Sequence, residues 1–230
     1  MGHPFKKDKK TMNIKPYIWG IEESYPEKFV LRYHRKSRKT DSMLFMWCIH
    51  LPGDTGNSNL SFTLQDPSEY DLIFHVRGEE ERLLKYDCLP NNMGGSPPIV
   101  NGRVLKVLEE MCPHDFQAFP VEVHNENPKL PNFVNRDYHL LNLVHEIDAI
   151  DQRYSTFTDS ELLPLIKELV FKENCMEGHH MGRLKGYRSI ILVSPELVAR
   201  FKKEKVKGVR FRTDLEYSLI SNPGRHGVKD

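Results

Sequence analysis

The sequence lacks the markers of several large protein classes. Its 230 residues hold 33 basic and 32 acidic side chains, so the net charge is +1 and the basic excess typical of nucleic-acid-binding proteins is absent. No apolar run approaches the roughly 20 residues that span a bilayer, and no apolar segment follows the charged start. Only four cysteines are present, and none forms a Cys-x-x-Cys pair. We therefore expect a cytoplasmic globular protein with free thiols, without a membrane span or a secretory signal.

Complete motifs for binding phosphate or metal are also missing. The pair Gly94-Gly95 lacks the lysine of a phosphate-binding loop. His145 begins a stretch like the helix of zinc proteases, but Ala149 stands where the second histidine is needed. One further group has metal-ligand residue types at short spacing but no fourth ligand, and it consists of Cys175, His179 and His180. The sequence thus predicts no cofactor and no metal ion.

Two small groups of residues offer an alternative interpretation, a small cytoplasmic enzyme. Cys112 and His114 combine a nucleophile with a base, although Cys112 follows a predicted helix whose dipole disfavours a thiolate at that end. Asp148 and Asp151 are carboxylates on one short segment and could share acid–base work if they were buried. A turn at the end of a helix and a loop after a strand are the simpler interpretations of these groups.

The densest basic run offers a second alternative. Residues 32–39 read Arg-Tyr-His-Arg-Lys-Ser-Arg-Lys, which could contact phosphates and stack on a base, as in a nucleic-acid-binding module. A solvated strand end or hairpin tip is the simpler interpretation.

Local patterns predict an α+β fold with a mixed, mostly antiparallel sheet and a few packed helices. Apolar residues at helical spacing follow Asn101, a plausible cap, and Pro113 stops that helix. Ser194 caps a second helix, Pro195 takes its first position and Gly208 ends it. At 39% hydrophobic residues, a chain of this length can bury a core without a metal or disulfide.

Alternating or β-branched segments predict the strands. Pro120 places part of one strand at an edge or a bulge, and a further strand is favoured beyond Pro164. Including the strand with Pro120, the other predicted strands lie at residues 15–21, 28–33, 43–50, 60–64, 71–76, 116–123, 138–145, 187–193 and 209–212.

Composition divides the chain into four segments. Residues 1–14 are predicted to be a flexible basic tail and residues 217–230 a second flexible tail. Between them we expect an amino-terminal β-rich part over residues 15–90, a candidate subdomain, and an α+β domain over residues 91–216. The boundary is the Pro- and Gly-rich break at residues 90–98.

The order of several segments from about Tyr70 onward carries a family resemblance. These segments are Gly-Gly-Ser-Pro-Pro-Ile-Val at residues 94–100, Pro-His-Asp-Phe-Gln-Ala-Phe-Pro-Val at 113–121, Tyr-His-Leu-Leu-Asn at 138–142, Ile-Asp-Ala-Ile-Asp at 147–151, Ile-Leu-Val-Ser-Pro-Glu-Leu at 191–197 and Gly-Val-Arg-Phe at 208–211. Over about residues 70–213 the chain resembles the bacterial immunity-protein family of polymorphic toxin systems that was first catalogued as a domain of unknown function. The first 65 or so residues carry no part of the resemblance.

The resemblance implies a protein that binds a cognate toxin and neutralises it by occluding the toxin's active site, without catalysis of its own. It brings no active-site residue with it. For the toxin interface we predict residues that flank a predicted strand and mix arginine and tyrosine anchors with pairable carboxylates. These residues are Arg136, Tyr138, Asp148, Asp151 and Arg153. We expect no membrane or nucleic-acid partner, and the sequence leaves self-association open.

Overall fold

A computed structural model describes seven parts of the chain, namely residues 14–21, 30–33, 72–77, 85–89, 98–125, 134–159 and 164–221. The strands predicted at 43–50 and 60–64 lie outside these residues, as do residues 1–13 of the predicted amino-terminal tail. The fold is α+β with mixed, mostly antiparallel sheets, which confirms the predicted class.

The strands of the described residues form two larger sheets and one small one. In chain order they are β1 (Tyr17–Ile21), β2 (Val30–Tyr33), β3 (Ile73–Arg77), β4 (Cys88–Leu89), β5 (Ile99–Asn101), β6 (Phe116–Asn125), β7 (Val134–Leu143), β8 (Glu146–Ile147), β9 (Thr156–Phe157), β10 (Ile166–Glu168), β11 (Met181–Leu184), β12 (Tyr187–Val193) and β13 (Val209–Arg212). The five-stranded sheet has the order β13-β1-β12-β11-β8, and the six-stranded sheet has the order β2-β3-β6-β7-β5-β4. Strands β9 and β10 pair with each other.

The five-stranded sheet separates two hydrophobic cores. Successive side chains of a strand point to opposite faces, so Trp19 packs against the first core while Ile18 belongs to the second. On the neighbouring β12, Ile191 lies in the first core and Leu192 in the second. The first core also receives buried side chains from the six-stranded sheet, among them Leu141. This shared core joins the two sheets.

The six-stranded sheet confirms the expectation for Pro120. In β6 the residues paired with β3 begin at Glu122, so among the described residues Pro120 pairs with β7 alone. The register between β6 and β7 shifts between Val121 and Val123, next to the proline. A residue without an N–H group is tolerated there because no described strand lies on the β3 side of Pro120.

The two predicted helices are present and capped as expected. In α1 (Gly102–Met111) the Asn101 side chain accepts a hydrogen bond from the Val104 N–H, and in α2 (Pro195–Lys203) the Ser194 side chain accepts from the Leu197 N–H. Helix α2 ends at Lys203 rather than near Gly208, because the chain turns at Glu204 and Lys205. No helix of the described residues is long and apolar enough to cross a membrane.

A third helix corrects the prediction that residues 217–230 form a tail. Helix α3 (Asp214–Ser221) includes residues 217–221. It begins with a capping box, in which the Thr213 hydroxyl accepts from the Glu216 N–H and the Glu216 carboxylate accepts from the Thr213 N–H. This Thr-x-x-Glu pattern stands in the sequence and would have predicted the helix.

Strands from both sides of the predicted boundary at residue 90 share the same sheets. Strand β1 lies between β12 and β13, and β3 pairs in parallel with β6. The segments over residues 15–90 and 91–216 are thus separate in sequence, but their described strands are hydrogen-bonded to one another.

Candidate functional site

Two histidine side chains that lie far apart in the sequence converge on one buried carboxylate, that of Asp115. The Asp115 side chain is 6% exposed, and its Oδ1 accepts a hydrogen bond of 2.8 Å from His179 Nδ1. His145 Nε2 lies 3.8 Å from the same Oδ1. The other oxygen, Oδ2, accepts from the backbone N–H groups of His180 (2.7 Å) and Met181 (2.9 Å). The carboxylate is therefore held on both oxygens.

The strand pairing at the junction of the two larger sheets brings these residues together. Asp115 directly precedes β6, and its carbonyl accepts from the Val144 N–H at the end of β7. His145 lies between β7 and β8, and its carbonyl accepts from the Arg183 N–H of β11. His179 lies two residues before β11. The cluster of Asp115, His145 and His179 thus joins elements of both sheets.

The hydrogen-bond partners fix which ring nitrogens carry protons. His145 Nε2 lies 3.0 Å from the His114 carbonyl oxygen, and because a carbonyl only accepts, this nitrogen donates. His179 Nδ1 likewise donates to the Asp115 carboxylate. The two imidazole rings face each other with centroids 4.1 Å apart, and each side chain is about a third exposed. The cluster therefore presents two imidazoles at the surface above a buried anionic group.

No sequence motif links the three residues to one another. Asp115 follows the Cys112 and His114 group, His145 belongs to the incomplete zinc-protease pattern, and His179 stands near Cys175. The signal that could have joined the first two is the pair of strands predicted at 116–123 and 138–145. Pairing these strands as an antiparallel hairpin brings Asp115 and His145 to the same end of the pair, and the exact register comes from the structure.

Gly182 is expected to be essential for the position of His145. A Cβ atom at Gly182 would lie 2.5 Å from Ile147 Cγ1 and 3.4 Å from the His145 carbonyl oxygen, because β8 approaches β11 closely there. The Gly182→Ala substitution should therefore push β8 away and lower the free energy of unfolding by about 1–3 kcal/mol, measured by urea denaturation. Gly186→Ala is not a suitable control because Gly186 has a positive φ, so Ser189→Ala, at an exposed position of β12, serves instead. Equal stability of the Gly182 and Ser189 variants would contradict the prediction.

The structure does not favour Cys112 as a nucleophile. Cys112 is buried at the carboxyl end of α1, as predicted, and its burial, together with the nearby Asp115 charge, raises the pKa of the thiol to about 12. The side chain of His114 is exposed. At neutral pH the thiol stays protonated, whereas thiol chemistry needs the thiolate.

The Cys112 thiol should consequently resist alkylation in the folded protein. At pH 8 we expect iodoacetamide to modify Cys112 at least about 100-fold more slowly in buffer than in concentrated urea, because burial suppresses both access and the thiolate. Peptide mapping by mass spectrometry resolves each cysteine, and Cys88, also buried with a raised pKa, should behave alike. Fast modification of Cys112 in native protein would reopen the enzymatic interpretation.

Asp148, Asp151 and Arg153 lie together on a charged turn, residues 148–154. Asp151 receives a two-pronged pair of hydrogen bonds from the Arg153 guanidinium, at 3.0 and 2.8 Å, and these bonds hold the pKa of the Asp151 carboxyl below its usual value. Asp148 is exposed and forms an ion pair of 2.9 Å with Lys172. Both carboxylates thus have cationic partners. Asp151 is buried, but its pairing with Arg153 favours the charged carboxylate, and Asp148 is exposed, so the two residues do not form a buried acid–base pair.

The other two predicted interface residues lie on β7 of the six-stranded sheet. Arg136 is exposed and donates to Glu122 Oε1 at 2.8 Å. Tyr138 is only 2% exposed, and its hydroxyl donates to the Tyr86 carbonyl oxygen. Tyr138 shares its strand face with the buried Leu140, so its side chain is not exposed in this structure, and its role as a contact residue stays a prediction. This alternation could have been read from the sequence.

The basic run proposed for nucleic-acid binding lies mostly outside the described residues. Its first two residues, Arg32 and Tyr33, end β2, and residues 34–39 are not among those described. The nucleic-acid hypothesis stays a prediction.

Comparison with protein families places the chain in the class of immunity proteins. The matching model is that of the Immunity protein family (Imm11) and covers residues 3–214, so the chain belongs to this family. The resemblance predicted from the sequence is confirmed, and the match extends it from about residue 70 to residue 3. A search of curated proteins gave no significant match.

Proposed function

We propose that this protein binds a cognate toxin domain and neutralises it by occluding the toxin's active site. The observation that carries the proposal is the immunity-family match over residues 3–214. A protein that blocks an enzyme needs a stable scaffold and an exposed surface of complementary shape and charge, and it needs no reaction chemistry of its own. The protonated, buried Cys112 thiol and the paired carboxylates of the 148–154 turn agree with this role.

We place the centre of the toxin-binding surface on the 148–154 turn. Two residues of this turn are largely exposed: the Arg153 side chain is 78% exposed and Tyr154 is 63% exposed. The Arg153 guanidinium carbon lies 5.3 Å from the centre of the Tyr154 ring, within cation–π range. Arginine and tyrosine are the residue types enriched among those that dominate binding energy. Asp148 and Lys172 supply charges of both signs beside them.

Backbone hydrogen bonds keep this turn in a fixed conformation. The Asp151 carbonyl accepts from the N–H groups of Tyr154 (3.2 Å) and Ser155 (2.9 Å). The Asp151 N–H donates to the Val170 carbonyl, and the Lys172 N–H donates to the Ala149 carbonyl. A turn anchored in this way loses little conformational entropy on binding, which favours affinity. Arg136 is also an exposed arginine but lies on the six-stranded sheet, so it serves as the comparison residue for Arg153.

Co-expression with the toxin domain encoded by the adjacent gene tests the proposed function. We expect this protein to restore growth of cells that produce the toxin domain and to co-purify with it in a stable stoichiometric complex. Unchanged toxicity together with the absence of a complex would contradict the proposal. A catalytically inactive toxin variant should still co-purify, because binding does not depend on toxin turnover.

A further inference from the structure

We propose that Asp115, His145 and His179 form a binding site for a divalent transition-metal ion, with Zn²⁺ as the best match. This inference is independent of toxin binding. It depends on the convergence of one carboxylate oxygen and two imidazole nitrogens, whose ligand atoms all lie within 4.8 Å of one another.

The distances suit a small tetrahedral ion. Ligand atoms bound to Zn²⁺ at its usual bond lengths lie about 3.3 Å apart. Asp115 Oδ1 lies 2.8 Å from His179 Nδ1 and 3.8 Å from His145 Nε2, so the two observed distances bracket this value. The third pair, the two imidazole nitrogens, lies within 4.8 Å, and side-chain rotation would bring these nitrogens to the spacing that the ion requires. In the bound form the metal would replace the proton that each of these two nitrogens donates, with the other ring nitrogen carrying the hydrogen.

The surroundings of the cluster hold the carboxylate in the orientation that a ligand needs. Asp115 Oδ2 is engaged by the N–H groups of His180 and Met181, which leaves Oδ1 directed at the two histidines. Such fixed partners of a ligating carboxylate are typical of metal sites. The backbone carbonyl groups of Asp115 and His145 accept hydrogen bonds from Val144 and Arg183. These bonds fix the backbone positions of both ligand residues in the absence of an ion.

The ligand types, one carboxylate and two imidazoles, limit which metal ions the site would bind. Imidazole suits Zn²⁺, Ni²⁺, Co²⁺ and Cu²⁺, whereas Mg²⁺ and Ca²⁺ prefer oxygen ligands alone. Three protein ligands leave one position of a tetrahedral ion open, on the side where both histidines are partly exposed. A bound ion would also connect β6 and β7 of one sheet with β11 of the other. We therefore expect it to stabilise the junction of the two sheets.

Zinc titration of the full chain tests the site. After treatment with EDTA and its removal by dialysis, isothermal calorimetry with Zn²⁺ should show one equivalent bound at neutral pH and weaker binding at acidic pH, where imidazoles are protonated. The thermal midpoint should rise with added Zn²⁺. Co²⁺ should give visible absorption bands characteristic of a nitrogen- and oxygen-ligated ion.

Matched histidine variants separate this site from nonspecific binding. His179→Ala and the double variant His145→Ala/His179→Ala should bind Zn²⁺ at least about 100-fold more weakly, since even the loss of an outer partner costs 10–100-fold. His114→Ala removes an exposed histidine next to Asp115 that is outside the cluster, and it should bind like the unmodified protein. Circular dichroism checks that the variants fold, and His179→Gln replaces His179→Ala if the latter does not. The absence of Zn²⁺ binding, equal binding by the His179 variants, or an equal loss in His114→Ala would each overturn the proposal.

Discussion

Replacing Asp115 with alanine is expected to lower the free energy of unfolding by about 4 kcal/mol. The substitution leaves the buried N–H group of Met181 and the partly buried N–H group of His180 without their acceptor, and it removes the bond from His179. Buried donors left unsatisfied cost about 1–3 kcal/mol each, and hydrogen bonds to charged groups are worth more than neutral ones. Urea denaturation in the presence of EDTA measures the effect without any contribution from bound metal.

Asp148→Ala is the matched control for this prediction. Asp148 is 64% exposed and, in the part of the chain that the structure describes, has one ion-pair partner, Lys172, so its removal should change stability by no more than about 0.5 kcal/mol. If Asp115→Ala lowers the free energy of unfolding as little as Asp148→Ala does, then the Asp115 carboxylate does not stabilise the junction between the sheets. Asp115→Asn should be intermediate, since the amide oxygen can still accept from the backbone while the NH₂ group faces His179.

Reversing the charge of Arg153 is expected to weaken toxin binding by about 30-fold or more. The Arg153→Glu substitution places a carboxylate beside Asp151, removes the stacking on Tyr154 and inverts the charge at the centre of the proposed surface. Surface plasmon resonance with the inactive toxin variant measures the change, and most of it should appear in the dissociation rate. Circular dichroism should be unchanged, because the guanidinium is largely exposed.

Arg136→Glu is the matched control for Arg153→Glu, because it makes the same charge reversal at an exposed position outside the 148–154 turn. Arg136 is also an exposed arginine paired with a carboxylate, but it lies on the six-stranded sheet. We expect Arg136→Glu to keep nearly full affinity. The opposite outcome, a large loss with Arg136→Glu and none with Arg153→Glu, would move the toxin-binding surface from the 148–154 turn to β6 and β7.

Features of the fold that depend on neighbouring residues could be predicted from the sequence. Ser194 and Pro195 define the start of α2 because capping and the missing N–H of proline act within one turn of helix. The same holds for Asn101 at α1 and for the irregular pairing beside Pro120. Helix α3 belongs with them, because the Thr213 and Glu216 pair that caps it is equally local.

Features that depend on pairing between distant segments could not be predicted in the same way. The cluster at Asp115 needs the register of β6 against β7 and the parallel pairing of β8 with β11, and single-sequence patterns specify neither. The interface prediction combined residues of β7 with residues of the 148–154 turn for the same reason. Arg136 and Arg153 looked alike in sequence, and only the topology separates them.

The place of β1 between β13 and β12 in the five-stranded sheet bears on how the protein is made. This strand is among the first described residues to leave the ribosome, yet its partners β12 and β13 are among the last. During translation the backbone N–H and C=O groups of β1 lack these partners until β12 and β13 have been synthesised. Contacts between segments so distant in sequence form slowly. Newly synthesised chains should therefore complete this sheet only after β12 and β13 have been made, and until then the backbone groups of β1 lack these two partner strands.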